Sequence, residues 1–88
     1  MAYVFEWSSH ALADLEALDR TIAQRIIKKL GWFANQPEAL IHAVRLRPPA
    51  IGDARFRVGD YRVVVVVDQK NQKIVIAAVG HRREIYRS

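Results

Sequence analysis

Cysteine is absent from this 88-residue chain, which excludes disulfide scaffolds and Cys-ligated zinc and suits a reducing, cytoplasmic home. Three prolines and four glycines are too few for a collagen-like or low-complexity tract. No run reaches the ~18 consecutive apolar residues that read as a membrane span. Met1 to Trp7 carries neither the basic leader nor the apolar stretch of a signal peptide. Acidic residues are in deficit, nine against fourteen Lys and Arg, so the net charge is +5. A surplus of that size on a small body favours an anionic partner: nucleic acid, an anionic membrane or an acidic protein. The three histidines do not share ligand spacing with Asp or Glu, so no metal and no other cofactor is expected. What is plentiful is apolar surface, at 51% of residues, enough for the core of one domain spanning residues 1–88.

The apolar residues change period along the chain. Tyr3 to Trp7 alternates as a strand does. Ser8 or Ser9 can cap a helix in which Ala11, Leu12, Leu15 and Leu18 share a side. Asp19 caps a second helix reaching about Asn35, with Ile22, Ala23, Ile26, Ile27, Leu30, Phe33 and Ala34 inward and Arg20, Gln24, Arg25, Lys28 and Lys29 outward. Asn35-Gln36-Pro37 ends it. The outer basic face could touch a nucleic-acid backbone and Trp32 could stack on a base, but such a face more often is solvated, and Trp32 beside Phe33 reads as core or rim packing. Ala43 to Arg47 reads as a short strand before the irregular Pro48-Pro49, with Arg45 and Arg47 on one face. Tyr61 to Asp68, with its five valines, reads as a central strand, and Ile74 to Val79 as the next. The order is β-α-α-β-β-β-β, an α+β domain: an N-terminal strand, an αα-hairpin, then an antiparallel meander. The helical hairpin has an apolar stripe that needs one face of the sheet to cover it.

Chemistry concentrates in Asp53-Ala54-Arg55-Phe56-Arg57-Val58-Gly59-Asp60-Tyr61-Arg62. Gly59-Asp60 reads as a two-residue type II′ turn, with glycine supplying the positive φ. Val58 then faces Tyr61, Arg57 faces Arg62 and Arg55 faces Val64, and alternation sends Arg55, Arg57 and Arg62 to one side. Directly opposed like charges destabilise a sheet. At about 5 Å the repulsion is ~1 kcal/mol in a water-like dielectric and several times that at an effective dielectric near 20. The functional reading is an anion site, since guanidinium forks match phosphate oxygens. The competing reading is a solvated face whose arginines splay apart. If the following turn is symmetric about Lys70-Asn71, Arg62 meets Val79 and shares a face with His81. A bulge at Gly80, or a three-residue turn, would instead bring Arg82 to that face. Either way the cluster gains a basic group, with Tyr86 close behind.

Such a cluster can run phosphodiester cleavage without metal. Its cations stabilise charge developing on the phosphate, and RNA supplies its own 2′-OH nucleophile. Proton carriers suited to neutral pH are scarce: phenol near 10 and guanidinium above 12 are badly matched. His81 is the one imidazole in the neighbourhood. Tyr86 can also stack on a base.

The segments "ALADLEALDRTIAQRIIKKL", "RFRVGDYRVVVVVD" and "VGHRREIYR" resemble the RelE/ParE superfamily of toxins, specifically its RelE-like branch, over nearly the whole chain. The resemblance implies an endoribonuclease toxin of a type II toxin–antitoxin system. Such a toxin cuts mRNA in the ribosomal A site by 2′-OH attack, leaving a 2′,3′-cyclic phosphate, and is neutralised by a cognate antitoxin in a hetero-oligomer. It implies that Arg55 and Arg57 bind or stabilise the phosphate, that Arg62 clamps it, that Arg82 stabilises the leaving group or transition state, and that Tyr86 acts as base or stacks. Arg45 and His81 are further candidates for RNA contact. Arginine at positions 55 and 57, where relatives often carry lysine, removes one possible base. The alternative within the superfamily is a ParE-like toxin that inhibits DNA gyrase by protein binding.

Overall fold

The computed structural model describes residues 3–47 and 51–85. Strand β1 is Val4–Trp7, helix α1 Ser9–Glu16, helix α2 Arg20–Ala34, strand β2 Val44–Arg45, strand β3 Ala54–Val58, strand β4 Tyr61–Asp68 and strand β5 Lys73–His81, with a 3-10 turn at Ala39–His42 between α2 and β2. The five strands form one mixed sheet in the order β1-β5-β4-β3-β2, β1 running parallel to β5 and the other pairs antiparallel. None of the described helices is long and apolar enough to cross a membrane.

Local chemistry sets the helix starts. The Ser8 side chain accepts the Ala11 N–H, and the Asp19 carboxylate accepts the Thr21 N–H, each satisfying a donor that the first helical turn leaves without a partner. Both helices cover the same face of the sheet. From α2, the buried Ile26, Leu30 and Phe33 recur at helical spacing and meet the buried inward residues of the strands, Phe56, Val63, Val65, Ile74 and Ile76. Phe56 stacks at 4.6 Å on Phe33 and 5.8 Å from Phe5, joining helix, central strands and first strand in one core. The buried stripe is narrower than the apolar pattern implies. Ile27 is 50% and Leu12 45% exposed, because each lies about 100° round the helix from a buried neighbour, Ile26 and Ala11 respectively.

The expected hairpin register holds throughout: Val58 pairs with Tyr61, Arg57 with Arg62 and Arg55 with Val64. Gly59 has φ +59 while Asp60 is not in the left-handed region, as a type II′ turn requires. Strand β4 is central, yet both its faces are covered only from Val63 to Val65; Val66 is exposed. Val64, on the face without helices, is buried where Gly52 comes down on it. At φ +100, a Cβ on Gly52 would stand 2.5 Å from Val64 Cγ1, so only glycine allows that approach.

A bulge between β4 and β5 decides what lies beside Arg62. Near the turn Asp68 pairs with Lys73 and Val65 with Ile76, the register symmetric about Lys70-Asn71. Then Val64 pairs with Ala78, leaving Ala77 as the extra residue, and Arg62 meets Gly80 instead of Val79. The parity switch therefore sits at Ala77, upstream of the glycine. Ser8 closes it, its N–H donating to the Ile76 carbonyl and its hydroxyl to the Ala77 carbonyl.

Candidate functional site

The helix-free face of the sheet carries Arg55 and Arg57 from β3 and Arg62 from β4, with Val44 opposite Arg55 at the β2 edge. Arg57 and Arg62 are directly opposed. The Arg62 guanidinium bends toward the hairpin turn, where its Nη1 donates to the carbonyls of Gly59 and Tyr61, both at 3.0 Å. Those contacts occupy one nitrogen and keep the Nε–Nη2 edge for a bidentate acceptor.

Beyond the bulge, the β5 chain continues the new parity. The Arg82 N–H donates to the Asp60 carbonyl at 2.8 Å, the next rung after the Arg62–Gly80 pair, which puts Arg82 on the side of Arg62. Its Nε stands 3.8 Å from Asp60 Oδ1. One tight turn thus positions two arginines, one on β4 and one just past the end of β5: its carbonyls hold Arg62, and Asp60 holds Arg82. The role of Asp60 was not signalled by the sequence beyond its place in the turn. Ile85, brought back by the turn in which the His81 carbonyl accepts the Glu84 and Ile85 N–H groups, lies over Gly80; a Cβ there would meet Ile85 Cδ1 at 3.1 Å.

Two candidates face elsewhere. His81 pairs with Tyr61 and so turns to the helix-bearing side, its ring edge-on to Tyr61 at 5.5 Å and its Nδ1 accepting the Arg83 N–H. The register symmetric about Lys70-Asn71, which would have brought His81 beside Arg62, is undone by the extra Ala77. Arg45 pairs with Ala54, whose side chain is in the core, so it projects to the helix-bearing side and not with Arg55. Tyr86 lies outside the described residues. Arg55, Arg57, Arg62 and Arg82 are therefore the candidates that share a face. Among the described residues no three His, Asp or Glu side chains converge on a point where a metal could sit.

Chemically, this face gathers four guanidinium groups, with the Asp60 carboxylate beside Arg82 at the turn. It can bind a phosphodiester and stabilise extra charge on it.

The profile of the ParE toxin of type II toxin–antitoxin systems, parDE, matches residues 5–86. Among curated proteins none matches the sequence. Among solved structures, a chain of the RelBE2 toxin–antitoxin complex from Mycobacterium tuberculosis is similar with TM-score 0.81 at 26% identity, over 93% of this chain and 100% of that one. A chain of the archaeal RelE–RelB complex from Pyrococcus horikoshii gives 0.71 at 23% identity, over 96% and 99%. A chain of the intact RelBE complex from E. coli gives 0.69 at 23% identity, over 91% and 96%.

Proposed function

The chain belongs to the ParE toxin family of type II toxin–antitoxin systems, and from that premise we propose that it is an endoribonuclease of the RelE-like kind, cutting mRNA in the ribosomal A site and neutralised by a cognate antitoxin. The supporting observation is the gathering of Arg55, Arg57, Arg62 and Arg82 on the helix-free face, two of them held by the Gly59-Asp60 turn.

In this reading the 2′-OH of one nucleotide attacks the adjacent phosphorus in line. The new P–O2′ bond forms as the P–O5′ bond breaks, giving a 2′,3′-cyclic phosphate and a free 5′-OH. The proton lost from the 2′-OH must pass to a base, and the departing 5′ oxygen must gain one. Arg62 receives a nonbridging oxygen on its Nε–Nη2 edge. Arg57 adds charge across the pair, and Arg82 stabilises the oxygen that leaves. Removing one positioned donor of this type from an enzyme costs roughly 100- to 1,000-fold in rate. The family resemblance offers Tyr86 either as the base that takes the 2′-OH proton or as a surface on which a base stacks.

The second reading, gyrase inhibition by protein binding, is favoured by the ParE profile match itself. It leaves the opposed Arg57–Arg62 pair without a task. Primer extension on messages from translating ribosomes separates the two. Cuts within A-site codons that vanish with Arg62→Ala and with Arg82→Ala support the nuclease. Intact message together with gyrase-cleaved DNA refutes it.

A further inference from the structure

Beside the arginine face lies a second basic feature, a groove of about 400 Å³ between α2 and the edge of β3, lined by Arg25, Lys28, Lys29, Trp32, Arg57 and Val58. Arg25, Lys28, Lys29 and Trp32 fall at i, i+3, i+4 and i+7, one stripe along roughly 10 Å of helix. No acidic residue is among the described residues of its lining. Trp32 is 46% exposed although it is held on several sides: Phe33 and His42 meet it edge-on at 5.5 and 5.1 Å, and the Lys29 ammonium lies 4.6 Å from its ring centroid. A large aromatic that is fixed by its neighbours and still open to solvent is a preorganised stacking platform. Trp32 and the α2 cations, which the sequence leaves between a solvated face and a nucleic-acid contact, line one cavity.

We propose that this groove binds single-stranded RNA, stacking a base on Trp32 and holding the flanking phosphates with Arg25, Lys28 and Lys29. The occupant follows from continuity. Arg57 belongs both to the groove and to the opposed pair with Arg62, so a strand whose phosphate lies on Arg62 can pass over Arg57 and round the β3 edge onto α2. Cations that track a backbone, with an aromatic between them, are the general means of holding single strands without reading sequence. An acidic polypeptide is the competing occupant. The hairpin leaves the Arg57 N–H and C=O pointing away from β4 and β2 reaches no further than Arg55, but that open edge is short and ends at the turn. The proposal rests on the nuclease reading for the direction of the strand, and its test is one of binding alone.

The chain has two tryptophans, so Trp7→Phe leaves Trp32 as the emitter. A short 2′-O-methyl RNA, which lacks the attacking hydroxyl, is titrated into this protein while Trp32 fluorescence is followed. Saturable quenching is expected. In the protein with both tryptophans, binding followed by anisotropy of a dye-labelled strand should weaken at least fivefold with Trp32→Ala and be largely kept by Trp32→Phe. Lys28→Ala with Lys29→Ala should flatten the dependence of log K on log salt by about 1.4, the value for two phosphate contacts on a single strand. RNA affinity and salt slope indifferent to all these changes overturn the proposal, as does poly-glutamate that quenches Trp32 and displaces the RNA. The cleavage assay is read separately. RNA held in the groove by a protein that never cuts supports the groove and overturns the nuclease; cutting that ignores Trp32 and both lysines does the reverse.

Discussion

Replacing Arg57 by threonine should make the protein more stable and less active. Arg57 and Arg62 face each other next to the turn-flanking pair Val58–Tyr61, a non-hydrogen-bonded position where Cα atoms approach to about 4.5 Å. Arg62 relieves part of the conflict by bending its guanidinium onto the Gly59 and Tyr61 carbonyls. With charge centres then roughly 8 Å apart, Coulomb's law gives ~0.5 kcal/mol at a dielectric of 80 and ~2 kcal/mol at 20. Arg57 is exposed, so the lower value governs, and physiological salt with its Debye length of about 8 Å reduces it further. Threonine adds a few tenths in strand preference. The net gain is about 0.5–1 kcal/mol, or roughly 3–6 °C in Tm for a domain of this size. Urea unfolding of both proteins at low and high salt measures it. The gain should shrink as salt rises, and the same variant should lose cleavage. A gain that ignores salt, or a loss of stability, refutes the claim that the sheet tolerates repulsion for the sake of a ligand.

Further outcomes follow from the core, the β5 edge and the turn chemistry. Phe56→Ala should cost about 3–5 kcal/mol in urea unfolding, because Phe56 is fully buried between Phe33 and Phe5; a cost below 1 kcal/mol contradicts its place at the centre of the core. Asp14 accepts the Val79 N–H at 3.0 Å from α1, so Asp14→Ala should cost about 1–3 kcal/mol and speed hydrogen exchange at the Val79 amide. The Asn71 side chain and backbone N–H both donate to Asp68 and hold its carboxyl below the usual carboxylate value. A carboxyl depressed in the folded state contributes stability above its unfolded pKa, and that contribution is lost as pH falls through the lower folded value. Asn71→Ala should raise the Asp68 titration midpoint in NMR and shrink this acid-side contribution; an unmoved midpoint refutes the assigned cause.

The sequence makes some of this architecture legible and hides the rest for physical reasons. Ser8, Asp19 and Gly59-Asp60 act locally, through caps and a turn whose geometry depends on a few neighbouring residues, and the elements they bound lie as expected. The hairpin register follows from the turn, so the sharing of a face by Arg55, Arg57 and Arg62 is readable in advance. The bulge is harder. Its signal is in Ile74, Ile76 and Val79, which must all reach the core although the last interval is odd, with two alanines filling it. Reading that broken alternation would have placed the extra residue at Ala77 and turned His81 to the far side. The facing of Arg45 is not readable in advance, because the two-residue β2 takes it from its pairing with Ala54, a long-range contact no local pattern encodes. The parallel docking of β1 on β5 and the α2 groove are likewise products of tertiary assembly.

The central claim is tested most directly by the fate of a single 2′-hydroxyl. A message cut by the protein on translating ribosomes is remade with one 2′-deoxynucleotide on the 5′ side of the scissile phosphate. Cleavage should disappear at that bond alone, while the unmodified message yields a 2′,3′-cyclic phosphate end. Undiminished cutting of the deoxy-substituted bond, or a product ending in a plain 3′-hydroxyl, would contradict attack by the RNA's own hydroxyl on a phosphate held by these arginines.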